Sequence, residues 1–360
     1  SGRMFATDLL PSPLVVILLS LPLLCLGLPI RWVLRQEWPQ LRQSLYFPVV
    51  GQVRWEHRRQ RARLLRRIGG VETTVITADK RKVHCVWAHA EGAAPGGPAV
   101  LLLHANAMVL DDMVDWAWYY LNLHVSVMLV TFWGYPDPSE DFESPMEGMP
   151  DGSYCPTEAT LYLDAEAALG YVQQVHRIPT DRILVHGLSM GGAAASALGV
   201  NHQGIKVTLD QTFASIHEVS VHVGRSLYDQ LILPRSPRWA LRTLIVLKPC
   251  LLRLTASLLV RMLFKTGVHD GCAKQDRLDN VRKAKAIRGD YFVFFSEHDE
   301  MMPSYFSQSL IEARYGPAGV QDLARTRILR IPGGHCAFFA DVPELATQYH
   351  KYLVQIGFLP

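Results

Sequence analysis

Three residues far apart in this 360-residue chain have types and settings that together make acyl-transfer chemistry. Ser189 lies in Gly187-Leu188-Ser189-Met190-Gly191-Gly192, between an apolar run, Ile183–His186, and an alanine-rich helical run, Ala193–Leu198. G-x-S-x-G at a strand-to-helix turn reads as a nucleophile elbow: the serine is held on a sharp turn, and the glycines avoid clashes that a Cβ would create. A hydroxyl is a poor nucleophile until a base takes its proton. The partners are expected later in the chain, acid and then histidine, each just beyond a strand. Tyr291–Phe295 is followed by Asp299, and Arg327–Ile331 is followed by Pro-Gly-Gly-His335. Glu297 and Glu300 flank the acid, and Asp210, at the end of the preceding strand, is its stronger rival. A buried acid beside His335 would fix the imidazole tautomer and stabilise the imidazolium.

The oxyanion that forms in acyl transfer needs two backbone N–H groups. Met190, directly after the serine, should supply one, and the loop His104-Ala105-Asn106-Ala107-Met108 the other. Trp116 and Trp118, in an aromatic run after that loop, belong either to a helix core or to the wall of an acyl pocket. Other chemistries lack their signatures. The chain has no H-E-x-x-H, no Walker phosphate loop and no G-x-G-x-x-G after a first strand, so no metal or cofactor is expected. His84 and His89 read as edge or surface residues of a strand, and Cys336 as a packing residue.

The elements that must position these groups alternate. Val71–Thr77 and Lys82–Ala88 are β-branched and read as a hairpin. Ala99–His104, Val125–Phe132, Ile183–His186, Val207–Leu209, Tyr291–Phe295 and Arg327–Ile331 are apolar runs of buried-strand type. Between them lie helical stretches, the clearest being Glu158–His176, with Thr157 as its cap. Such alternation predicts an α/β domain with a mostly parallel sheet covered on both faces. The roughly 80 residues between the strands near 209 and 291 exceed a simple crossover. Within them Leu241–Phe264 is very apolar but carries four cations, which suits a helical cap over the sheet. Leu244 and Leu251 of this stretch are candidate substrate contacts, with Trp116 and Trp118.

The net charge of +3 hides an asymmetry: residues 31–67 carry +8, whereas 68–360 carry −5. Leu9–Ile30 is uncharged and at ~1.5 Å per residue is long enough to span a hydrocarbon core. The chain thus divides into a membrane anchor at 1–34, a basic amphipathic neck at 35–70 and a catalytic domain at 71–360. Trp32, Trp38 and Trp55 interleave with the neck arginines, a pattern suited to anionic headgroups. More arginines follow the span than precede it, which places the body on the cytoplasmic side. No nucleic-acid module accompanies the basic run. The six cysteines form no close pairs and no N-x-S/T sequon occurs, which suits a reducing compartment.

His-x-Asn-Ala after the third strand, Gly134-Tyr135 after the fourth, and Leu-Tyr-x-Asp-x-Glu-Ala at 161–167 form a recognisable set. With Gly-Leu-Ser-Met-Gly-Gly, Thr212-Phe213-x-Ser215-Ile216, the Asp299 turn and Gly-Gly-His335, they resemble the Bem46-like branch of the α/β-hydrolase superfamily, over about residues 71–356. The resemblance implies an α/β-hydrolase fold with a cap insertion at about 218–285 and an N-terminal hydrophobic anchor. It carries over Ser189 as nucleophile, Asp299 as acid and His335 as base. Ala105 stands where the family usually has glycine, which favours the Asn106 amide as the second oxyanion donor. The segment at 225–285 is longer than the branch usually shows. Members of the branch are typically membrane-anchored serine hydrolases, often drawn with the body outside the cytoplasm, and relatives act on lysophospholipids, monoacylglycerols or protein thioesters. The expectation is a serine hydrolase that cleaves esters of lipid-like acyl groups at a membrane, without nucleic acid as a partner. A protein acyl-thioesterase is the alternative within enzymes, and a non-catalytic anchored interaction protein the alternative outside them.

Overall fold

The β-branched stretches at the head of the body pair as an antiparallel hairpin. β1 (Val71–Ile76) lies against β2 (Lys82–Ala88), with Val71 opposite Trp87 and Ile76 opposite Lys82. The turn between them places Lys80 at φ 69°, and the Thr77 hydroxyl accepts the Arg81 N–H at 2.9 Å. β2 also pairs antiparallel with β4 (Ser126–Val130), and every later pairing is parallel. The sheet runs β1-β2-β4-β3-β5-β6-β7-β8, with β3 Ala99–Leu103, β5 Ile183–Leu188, β6 Lys206–Asp210, β7 Tyr291–Ser296 and β8 Ile328–Ile331. The computed structural model describes residues 55–106, 108–135, 157–227, 254 and 278–360. The expected anchor, the neck up to residue 54 and most of the cap insertion, with Leu244 and Leu251, lie outside the described residues. Among the described residues no helix is long and apolar enough to cross a membrane.

The central strands are buried along their whole length because helices cover both faces, which is why they read as continuous apolar runs. One face carries α3 (Glu158–Gln174), α4 (Gly191–Asn201), α6 (Asn280–Ala286) and α7 (Ser304–Arg327). The other carries α1 (Trp55–Ile68), α2 (Val114–Asn122) and α8 (Pro343–Gln355). α3 starts where Thr157 and Thr160 cap one another: each hydroxyl accepts the other's backbone N–H, at 3.0 and 2.7 Å. α7 is two helices joined at Gly316, whose φ of 77° breaks the helix just before Pro317. The expected cap insertion, at about 218–285, takes in α5 (Ile216–Leu227) at one end and α6 at the other. Its two ends are tied together, since the Asn280 side chain donates to the Phe213 carbonyl and its amide to that of Ala214.

The C-terminal part of the basic neck is an integral helix of the body. Leu64 and Ile68 of α1 enter the core beneath β2 and α2. Arg61, also buried, pairs with Asp111 and Glu72. Arg59, Arg63 and Arg66 lie on the exposed side of the same helix. Amphipathicity explains the split, because positions 61, 64 and 68 share one face at helical spacing.

Candidate active site

Ser189 sits at the tight turn between β5 and α4 with φ 50°, a left-handed conformation that a side chain rarely adopts. The turn is fixed from below. The Ser189 N–H donates to the Asp210 carbonyl at 2.7 Å, and the Ser189 carbonyl accepts from the Gly192 N–H and the Thr212 hydroxyl. Crowding accounts for the glycines of the motif. A Cβ on Gly191 would collide with the Leu103 carbonyl, and one on Gly187 with the Gly191 carbonyl.

His335 and Asp299 arrive from the loops beyond β8 and β7. His335 Nε2 lies 3.0 Å from Ser189 Oγ, and its Nδ1 lies 2.7 Å from Asp299 Oδ2. The other carboxylate oxygen, Asp299 Oδ1, accepts the N–H groups of Met301 and Met302 at 2.9 and 2.7 Å. The Asp299 side chain has no exposed surface, so these bonds replace the water that it gives up. Burial lowers the basicity of His335. The hydrogen bonds and charges of Asp299 and of neighbouring Cys336 outweigh that effect and push it up to about 10. The imidazolium is thereby stabilised, and the neutral form that accepts the serine proton gains population as pH rises. Glu297 and Glu300, the lesser rivals for the acid, follow β7 in the same loop as Asp299, but it is Asp299 that meets the imidazole.

Asp210, the stronger rival, does not meet His335. It is wholly buried, with Oδ2 bonded to His186 Nε2 at 3.1 Å and to Trp116 Nε1 at 2.9 Å. His186 in turn meets the Tyr120 hydroxyl, which meets that of Tyr349. Trp116 is thus a core residue of this buried polar chain. Trp118 is 41% exposed on α2 with the Arg67 guanidinium over its ring, so it is not part of the helix core. An i,i+2 spacing sends two helical residues to different faces.

The loop after β3 brings Asn106 toward the serine turn. His104 anchors it: Nδ1 donates to the Ala105 carbonyl at 2.8 Å, and Nε2 accepts the Phe132 N–H at 3.2 Å. Burial lowers the His104 pKa to about 4, so this imidazole stays neutral. Ala105 is buried and takes no positive φ. Tyr135 spans the two expected oxyanion donors, with its hydroxyl 2.7 Å from Asn106 Oδ1 and 3.5 Å from Met190 Sδ. Met190 precedes the first turn of α4, where backbone amides have no intrahelical partner and the helix dipole favours negative charge. Asp164 secures the Tyr135 loop from α3, accepting the Trp133 N–H at 2.8 Å and Arg81 Nη1 at 2.7 Å. Burial raises the Asp164 carboxyl to about 6 against the pull of Arg81. Neither Tyr135 nor Asp164 stands out in the sequence as a site residue; the Gly134-Tyr135 and Leu-Tyr-x-Asp motifs are the available signal. Among the described residues no cluster of His, Cys, Asp or Glu is placed to hold a metal ion.

An imidazole placed between a carboxylate and a hydroxyl can draw off the hydroxyl proton and return it to a leaving group. The comparisons agree with this architecture. Residues 100–348 match the sequence model of the alpha/beta hydrolase family. The protein bem46 of Schizosaccharomyces pombe is 31% identical over 125 residues, covering 34% of this chain and 37% of that protein. An uncharacterised protein of Mycobacterium tuberculosis is 28% identical over 201 residues, covering 56% of this chain and 64% of its own. The match therefore spans less than two thirds of either relative. In fold, an esterase of Pyrococcus furiosus superposes with a TM-score of 0.53 at 14% identity, covering 79% of this chain and 91% of that one. An alpha-beta hydrolase of Vibrio vulnificus gives 0.51 at 14% identity, covering 88% and 92%. Sheet order, serine turn and family match converge: this chain belongs to the alpha/beta hydrolase family.

Proposed function

We propose that the chain is a membrane-associated serine hydrolase that cleaves carboxylic esters of lipid-like acyl groups through an acyl-enzyme. The observation that carries the reading is the contact of His335 with Ser189 Oγ at 3.0 Å and with Asp299 at 2.7 Å. Ser189 Oγ attacks the ester carbonyl while His335 Nε2 takes its proton. The amides of Met190 and Asn106 receive the negative charge that builds on the carbonyl oxygen. The imidazolium, steadied by Asp299, then protonates the departing alkoxide. Water repeats the cycle on the acyl-enzyme, giving up its proton to His335, and the acid leaves as Ser189 is restored. No cofactor enters these steps. The esterase among the structural neighbours is consistent with this chemistry. Membrane association and a lipid substrate rest on the apolar Leu9–Ile30, the +8 neck and the exposed Arg59, Arg63 and Arg66 of α1. The arginine asymmetry supports a cytoplasmic side for the body.

A fluorophosphonate probe tests the catalytic core. Wild type should label and Ser189→Ala should not; equal labelling of the two sinks the reading. Comparison of short-chain with long-chain esters, presented on vesicles, tests the substrate class. Protease protection in sealed vesicles tests the side, and full lumenal protection of the body would overturn the cytoplasmic assignment.

A further inference from the structure

Gln211 directly follows Asp210 and makes more bonds than its place in a short connection requires. It is 1% exposed and has φ 50°. Its backbone N–H donates to the Phe294 carbonyl of β7 at 3.0 Å. The side-chain Nε2 donates to Asp210 Oδ1 at 3.0 Å and to the Ala337 carbonyl at 2.9 Å, while Oε1 accepts the Ser296 hydroxyl at 2.9 Å. These partners belong to three segments. Asp210 ends β6, and Ser296 ends β7 three residues before Asp299. Ala337 closes the turn that carries His335, since its N–H donates to the Gly334 carbonyl across His335 and Cys336. The near end of the same segment is held separately, by the His298 N–H on the Gly333 carbonyl.

We propose that Gln211 is a positioning residue that fastens the His335 turn to the ends of β6 and β7, and so sets the base relative to Asp299 and Ser189. The proposal rests on the serine-hydrolase reading above. Only a primary amide of this length meets the demand, which is two donors toward oxygen atoms and one acceptor toward a hydroxyl. A carboxylate would face Asp210 and the Ala337 carbonyl without a donor. Asparagine is one methylene too short. The anchor at the other end is stiff, because Asp210 is fixed by His186 and Trp116. Gln211 makes no bond to Ser189, Asp299 or His335 themselves, so it acts through the turn. Catalytic groups must be held within roughly 0.5 Å of their working geometry, and a displacement of about 1 Å can cost ~100-fold in rate.

The test compares full-length wild type, Ser189→Ala, Gln211→Met and Gln211→Glu. Three readouts are taken: kcat and KM on a soluble p-nitrophenyl ester, the fluorophosphonate labelling rate, and the far-downfield proton resonance of the His335 Nδ1–H···Asp299 bond. Gln211→Met should lower kcat and labelling by about 10- to 100-fold with KM within about twofold, and should broaden or shift the downfield proton. Gln211→Glu should fall as far while its Ser296 bond survives. Wild-type kcat and an unchanged resonance in a folded Gln211→Met protein would overturn the proposal, as would a rise confined to KM. If Gln211→Met does not fold, Ser296→Ala removes one of the same bonds at smaller cost. A reduced kcat with unchanged KM is then expected, and an unchanged kcat overturns the idea. Failure of the catalytic reading is separate: wild type would not label at Ser189, while the resonance would still report whether Gln211 places His335.

Discussion

Arg61 grips Asp111 through two parallel bonds, Nε to Oδ1 at 2.8 Å and Nη2 to Oδ2 at 3.1 Å, with both side chains almost fully out of water. The pair joins α1 to the short 3₁₀ turn Leu110–Met113 that follows the Asn106 loop. Bidentate geometry offsets the desolvation of two charges, but neither charge tolerates losing the other. Arg61→Met should therefore lower stability by about 3–5 kcal/mol, while Arg61→Met with Asp111→Leu should recover most of it. Urea midpoints at constant slope measure both, and a single variant as stable as wild type would show the pair to be dispensable.

Tyr135→Phe removes one hydroxyl that touches the side chains of both expected oxyanion residues. A lost buried hydrogen bond is worth about 1 kcal/mol, so kcat should fall about 5- to 10-fold with KM nearly unchanged. Steady-state kinetics on a soluble ester decide it; a change in KM alone would assign Tyr135 to substrate binding.

Asp299→Asn tests the acid. Met301 and Met302 donate to one side-chain oxygen, so the new amide nitrogen would face His335 Nδ1. The proton would then be forced onto Nε2, the atom that must accept from Ser189. A loss of about 10⁴ in kcat is expected with the fold intact. Retention of wild-type turnover would return the acid role to Asp210 or to a glutamate of the same loop.

His335 carries a raised pKa, and only its neutral form accepts the serine proton. The neutral fraction grows as pH rises, so kcat/KM should climb with pH on the alkaline side, up toward about 10. Cys336 contributes to the rise after Asp299, so Cys336→Ala should move the whole limb to lower pH. A pH profile that stays in place would assign the rise to Asp299 alone.

Ser189, Asp299 and His335 were legible from the sequence because each depends on local context, a glycine-rich turn or a loop directly beyond an apolar strand. The strands themselves were legible, although β4 stops at Val130 while the apolar run continues to Phe132, whose N–H turns to His104. Residues whose role depends on the closed sheet were not. Gln211 meets Ala337, and Arg61 meets Asp111, only because distant segments become neighbours. The neck shows the same limit. Its charge marks an amphipathic segment, but only the folded body shows that Arg61, Leu64 and Ile68 form the face that enters the core. Trp116 and Trp118 show a further limit, since aromatic character alone does not say which face of α2 a ring occupies.

The crowding at Gly187, Gly191 and Gly192 leaves no room for a methyl group against Leu103, the α4 backbone or Thr212. Laboratory evolution of this chain thus begins from a centre that admits almost no variation. Libraries that randomise the serine turn will consist mostly of misfolded members. New selectivity has to be sought in the surrounding walls, where one side chain can be exchanged for another without moving the backbone that makes the reaction possible.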